Sequence, residues 1–270
     1  MSAPFFFGEA GRSLFGLLHE TDGRPRIEGA HGLVLCAPLL QEGTRSHRAL
    51  WSLAQAVGAQ GIPTLTFDWY GTGDSAGEDL ELSLSGLQSD LDAAAKELTR
   101  RSGATTLQWL ALRSAAIPML AYLSSRAAPV DVVLWDPQLD GRRLVDQWRE
   151  QHRQQLLESG RYVHARHEPD ADDLLGFRVD EAFLAQLRHA APTRWRLPAG
   201  SRVRMAVWEM DETLDRFAQA QREAGVAVEA VLLDEGERPE WDVPARFGAQ
   251  VFPRRAVAQL AQRMTAQVPW

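Results

Sequence analysis

The chain has 270 residues, a formal charge of −7 at pH 7, 45% hydrophobic residues and 24% charged ones. That length and balance fit one large α/β domain with an insertion, or two small domains, and argue against disorder and against a coiled coil. An acidic chain offers no basic footprint for a nucleic-acid backbone, so no nucleic-acid partner is expected.

Lys96 is the only lysine, and the arginine-rich remainder reads as codon bias before function. Cys36 is the only cysteine, which excludes an intrachain disulfide and a cysteine-rich zinc site; in the apolar run Leu33 to Ala37 it reads as a buried, inert thiol. The start, MSAPFFFGEAGR, has no basic n-region and is broken by Glu9 before an h-region forms, and no segment has the apolar length of a membrane span. A cytoplasmic location is the expectation.

Short apolar runs alternate with longer helical patterns, the sequence form of βαβ units. Residues 4–20 read as an antiparallel lead-in hairpin, and GLVLCAP (32–38) as the first buried strand. The stretch LLQEGTRSHR reads as a loop leading into a helix over about Ala49 to Gln60. IPTLTFDW (62–69) is the next strand, closed by the glycine turn YGTGDSAG and followed by a helix from Leu84 to Thr99. LQWLALRSAA (107–116) reads as a buried strand running into a helix, and DVVLWDP (131–137) as another strand.

From Gly141 to Leu197 the pattern turns polar and helical with no buried strand, which marks an inserted cap. Strands VRMAVWEMD (203–211) and VAVEAVLL (226–233) flank a helix from Leu214 to Ala224, and a helix from Arg255 to Ala266 closes the chain. The expected division is a core of residues 1–140 and 198–270 with a cap at 141–197, built on a mostly parallel, doubly wound sheet.

Arg113 stands at the turn between the LQWLAL strand and its helix, flanked by Ala111 and Ala115. A small–x–nucleophile–x–small turn is sharp, and small flanks let helix and strand approach. A guanidinium is protonated at physiological pH and has no lone pair to offer a carbonyl, so Arg113 cannot stand in for serine or cysteine.

Taken in order, these elements resemble the α/β-hydrolase fold, and DWYGTGDSAG (Asp68 to Gly77) is similar to that superfamily's glycine turn. PFFFGEAGRSLF, PLLQEGTRSHR and LWDPQLDG further resemble the hydrolase-like proteins associated with bacterial exosortase and exopolysaccharide systems, several of which carry Arg at the elbow. The resemblance implies the order nucleophile, acid, histidine. Asp211 in VWEMDET takes the acid position, with Glu209 second. The histidine belongs in LDEGERPEWDVP, which has none; His189 is the last in the chain. Trp241 lies in that stretch and is expected to line the pocket, with Leu40 and Glu42 of the oxyanion loop opposite.

Two readings of Arg113 stand side by side: recognition of an anionic ligand, helped by the helix N-terminus, or an internal ion pair with Glu42 or Asp211. Ser114 is the rival nucleophile, against its reading as a helix-capping serine. His47, His152, His164, His167 and His189 are weak candidates for a base. The glycine turn has the spacing G-x-G-x-x-x-G after the second strong strand and is read as a structural turn, so no cofactor is expected. His164 and His167 with Asp170, Asp172 and Asp173 read as a solvated loop, so no metal is expected. Trp51, Trp109, Trp135 and Trp208 are assigned to the core. The expected function is a degenerate hydrolase fold binding a small anionic or acyl ligand. The alternatives are an esterase or thioesterase acting through Ser114, and a structural protein that binds a protein partner or a second copy through its cap.

Overall fold

A computed structural model of the chain describes residues 4–20, 31–158, 173–243 and 251–265. Eight strands form one sheet in the order β1-β2-β4-β3-β5-β6-β9-β10. β1 (Pro4–Glu9), β2 (Arg12–His19) and β4 (Thr64–Phe67) pair antiparallel at one edge. β3 (His31–Cys36), β5 (Thr106–Leu112), β6 (Asp131–Trp135), β9 (Arg202–Val207) and β10 (Ala227–Leu232) continue it in parallel from β4.

The central strands are covered on both faces, which is why they read as unbroken apolar runs instead of alternating ones. Their alternate residues feed two cores. Leu33, Leu35, Leu110, Leu112 and Val133 pack against α1 (Leu40–Gly58) and α7 (Arg254–Thr265). Val34, Cys36, Trp109, Ala111 and Val132 pack on the other side, against α2 (Leu84–Ser102), α3 (Ala116–Leu123) and α6 (Glu212–Glu223). Cys36 is fully buried, and burial pushes its thiol up.

Three expectations are corrected. α1 begins at Leu40, not near Ala49, so the polar run LLQEGTRSHR is helical. Its first turns bury Leu40, Glu42 and Ser46, and the burial of Glu42 is sustained by an ion pair that hydropathy does not register. Trp51 is 47% exposed instead of core, whereas Trp109, Trp135 and Trp208 are buried. Between β6 and β9, α4 (Gly141–Glu158) and α5 (Glu181–Arg188) are separated by a small hairpin, β7 (Asp173–Leu174) with β8 (Phe177–Arg178), whose Leu174 is buried. Two-residue strands leave no periodicity to read. α4 starts hard against α5: a Cβ on Gly141 would sit 1.7 Å from the Leu187 carbonyl oxygen, so only glycine fits. No described helix is long and apolar enough to cross a membrane.

His19 sits almost fully buried at the sheet edge. The Gln55 amide nitrogen donates to its Nδ1 at 3.1 Å, and Nε2 donates to Thr66 Oγ1 at 3.0 Å, which the neutral ring satisfies and the imidazolium does not. Burial lowers its pKa from 6.5 to about 4. The unfolded chain therefore takes up this proton first, and the stability His19 contributes is complete above about pH 6.5 and lost as pH falls toward 4. Linkage puts the loss at about 2 kcal/mol between pH 7.5 and pH 5. Urea unfolding at the two pH values should give His19→Gln a correspondingly flatter response than the wild type; equal responses would show that His19 does not carry this sensitivity.

Candidate functional site

Four loops meet at the carboxyl end of the central strands, and Arg113 lies among them. β5 ends at Leu112, residues Arg113–Ala115 form one 3₁₀ turn, and α3 follows from Ala116. Ala111, Ala115 and Ala116 are fully buried, and this absence of bulk lets the turn be as sharp as it is. Arg113 adopts φ +49°, and its backbone carbonyl accepts the Gln138 N–H at 3.2 Å.

The guanidinium is only 4% exposed and is held by three carboxylates. Nη1 donates to Asp136 Oδ2 at 2.5 Å, and Nη2 donates to Glu42 Oε1 at 3.1 Å and to Asp242 Oδ2 at 3.0 Å. Asp136 follows β6, Glu42 lies in the first turn of α1, and Asp242 follows Trp241 beyond β10. From α4, Gln147 donates its amide to the same Asp242 oxygen at 2.9 Å. Arg113 Nε is buried and has no partner among the described residues.

Arg113 sits among three carboxylates, two of which, Glu42 and Asp242, also act on Arg45. Burial pulls the Arg113 guanidinium down, but Glu42, Asp136 and Asp242 outweigh it and hold it well above its ordinary value. For Glu42 burial prevails over the attraction of Arg113, and its carboxyl is pushed up toward the protonated form. Asp242 is also desolvated, yet Arg113, a backbone N–H and Gln147 together bring it below the usual carboxylate range. The Arg113 charge is thus more than balanced by its own carboxylates, and none of it is left over for an incoming anion.

Ser114 is fully buried, and its hydroxyl does not cap α3. Its Oγ accepts the Leu39 N–H at 2.9 Å and donates to Glu42 Oε2 at 3.4 Å, which ties the elbow to the start of α1. Backbone strain collects in the same place. Among the described residues, the non-glycine residues with positive φ are Leu40, Arg113, Asp136 and Leu175. Arg113 and Asp136 are in the cluster, Leu40 lies two residues from Glu42, and the Leu175 carbonyl accepts from Gln41. Each left-handed residue costs on the order of 1 kcal/mol, and such strain persists where the surroundings fix it.

The remaining sequence candidates lie elsewhere. Asp211 is not a partner of Arg113: it caps α6 through the Leu214 N–H at 2.9 Å and faces Arg143 at 3.6 Å. Glu209 is exposed. Trp241 is buried against Trp135, with ring centroids 6.0 Å apart, and its carbonyl accepts from Arg45 at 3.0 Å. His152 accepts the Leu175 N–H at 3.0 Å, and His189 ends α5. His164, His167, Asp170 and Asp172 lie outside the described residues. The sequence reading missed Asp136 and Asp242. Asp242 stands in the stretch searched for a histidine, where a carboxylate facing the elbow cation was the signal to look for. Among the described residues no group of three or more His, Cys, Asp or Glu is arranged to hold a metal ion.

Beside this cluster, a cleft of about 400 Å³ opens between α1 and the β2–β4 edge of the sheet. Leu40 lines it, while Arg113, Glu42 and Trp241 do not. The glycine turn forms one wall. There Asp68 Oδ2 accepts the Asp74 N–H at 3.0 Å, and Gly73, at φ +56°, has no room for a Cβ, which would fall 2.2 Å from that carboxylate.

No family model and no curated protein matches the chain. Solved structures do. Est1E from Butyrivibrio proteoclasticus superposes with a TM-score of 0.61 at 11% identity, over 97% of this chain and 96% of that one. XC6422 from Xanthomonas campestris, described as an α/β serine hydrolase without a lid, gives 0.52 at 16% identity over 100% and 97%. Mouse α/β-hydrolase domain-containing protein 10 gives 0.50 at 14% identity over 97% and 96%. The chain has the α/β-hydrolase fold. Within that fold its elbow carries an arginine locked to carboxylates.

Proposed function

We propose that this chain is a hydrolase scaffold turned to non-covalent binding, holding a small acyl ligand without cleaving it. The observation that carries the reading is the Arg113 cluster. The elbow presents a buried cation tied to three carboxylates, which has neither a nucleophilic lone pair nor a leaving proton to give. Asp242, an acceptor when ionised, reaches the elbow from the stretch where an imidazole base would have to stand. The retained strain at Leu40, Arg113 and Asp136 supports a place kept for a purpose beyond packing.

The charge balance favours internal pairing of Arg113 over capture of an anion, so the ligand reading narrows to the acyl half. The setting we infer is an accessory role in a bacterial exopolysaccharide or exosortase system. It rests on the resemblance of PFFFGEAGRSLF, PLLQEGTRSHR and LWDPQLDG.

The test is turnover and labelling. Short p-nitrophenyl esters and acyl thioesters should be hydrolysed at the background rate, a fluorophosphonate probe should leave no adduct, and Ser114→Ala should change neither result. An adduct on Ser114, with hydrolysis abolished in Ser114→Ala, would replace this reading by that of an esterase.

A further inference from the structure

The cleft beside α1 has the composition of a binding site. Its volume, about 400 Å³, lies within the usual range for small-molecule pockets. Leu35, Leu50, Phe67 and Trp69 make a buried apolar floor. The rim belongs to one stripe of α1: Leu40, Thr44, His47 and Trp51 recur at spacings of four, three and four, the period that puts helix residues on one face. Thr44, His47 and Trp51 are exposed there. A tryptophan left half exposed over an apolar floor is placed to cover a ligand, since its ring gains more from an apolar contact than from water.

The charged side chains of the cleft's lining are two carboxylates, beside one imidazole and the hydroxyls of Thr44, Thr66 and Thr72. Asp68 and Asp74 face it from the glycine turn, and His47 from the rim. Asp68 uses one oxygen to accept the Asp74 N–H, and burial raises its carboxyl above the usual range, a penalty that a cation beside it would offset. The His47 imidazole lies near enough to Asp68 to act on it electrostatically, against the effect of burial. Among the described residues, no arginine or lysine lines the cleft.

We propose that this cleft binds an aliphatic or aromatic molecule ending in a hydrogen-bond donor, an amine or an alcohol, with the apolar body on the Phe67–Trp69 floor under Trp51 and the head at Asp68 and His47. A carboxylate-headed ligand is disfavoured because it would meet two acidic side chains and, among the described lining residues, no arginine or lysine. The site lies apart from Arg113, and its ligand, an amine or alcohol and not an acyl compound, goes beyond the binding reading given above.

The experiment is titration calorimetry of the full chain with octylamine, 1-octanol and octanoate. Octylamine should bind one to one, about tenfold or more tighter than octanoate, with octanol between them. Trp51→Ala should weaken all three alike. Asp74→Asn, on the exposed turn, and Asp68→Asn, which keeps an acceptor for the Asp74 N–H, should each reduce the amine's advantage over octanoate. The proposal is overturned if no compound binds saturably, if octanoate binds as tightly as octylamine, or if Trp51→Ala and Asp74→Asn both bind as the wild type does. The two readings fail separately: fluorophosphonate labelling removes the non-covalent function and leaves saturable amine binding untouched, whereas absent amine binding in an unlabelled protein removes only the cleft.

Discussion

Arg113→Met should lower the stability of the chain by about 3–5 kcal/mol at pH 7.5, the usual consequence of removing one side of a buried ion pair. Methionine matches much of the arginine's apolar length, so lost packing is a minor part of the effect. The larger part is three carboxylates left without their cation, Glu42 being 2% exposed. The pH response gives this cause a signature. With Arg113 gone, the native-state pKa values of these carboxyls lie above their unfolded values, so the native state binds protons that the unfolded chain does not. Stability of the variant then falls as pH rises through that window, and its deficit against the wild type should shrink between pH 7.5 and pH 5. Adding Glu42→Gln should return part of the loss, because an amide tolerates burial better than an unpaired carboxylate. Urea unfolding of the three proteins at both pH values measures all of this. If Arg113→Met melts at or above the wild-type temperature, Arg113 is an uncompensated cation kept for a ligand, and the internally paired arginine is wrong.

What could be read in the chain, and what could not, divides along physical lines. The parallel strands were legible because LVLC, WLAL and VVLW are buried on both faces, and their boundaries came out close to those observed. The elbow was legible through its small flanks, Ala111 and Ala115, which sterics impose at short range. The first turns of α1 were not, since Glu42 is buried only through a partner 71 residues away, and a polarity pattern counts it as loop. The partners of Arg113 were half legible for the same reason. Glu42 was named, but Asp136 and Asp242 reach the guanidinium from loops whose convergence is a property of strand order β3-β5-β6-β9-β10 and not of any local run. The cleft was invisible to sequence reading: Trp51 sits in a helical pattern like a core residue, and only its position on the outer stripe of α1 exposes it.

The second large effect expected is a gain of chemistry. Arg113→Ser alone should stay inactive: it supplies a hydroxyl at a turn that already has the strained elbow conformation, but among the described residues no histidine bonds to Arg113 or its carboxylates. Asp242 comes within 3.0 Å of the guanidinium from the loop beyond β10, and Asp136 lies on the other side of it. Asp242→His therefore brings an imidazole toward the elbow, in the place of the base that activates a serine. Glu42→Gln removes the buried charge that the lost arginine would leave unpaired. The combined Arg113→Ser, Asp242→His, Glu42→Gln protein should hydrolyse p-nitrophenyl acetate about a hundredfold faster than Arg113→Ser, the lower end of what a positioned general base contributes. It should also take up a fluorophosphonate at position 113, located by mass spectrometry of the labelled peptide. Turnover by Arg113→Ser equal to that of the combined variant would mean that a base already serves the elbow. A folded combined variant with no turnover and no adduct would mean that the loops no longer hold hydrolase geometry, and the kinship of this site with a catalytic elbow would then be one of fold alone.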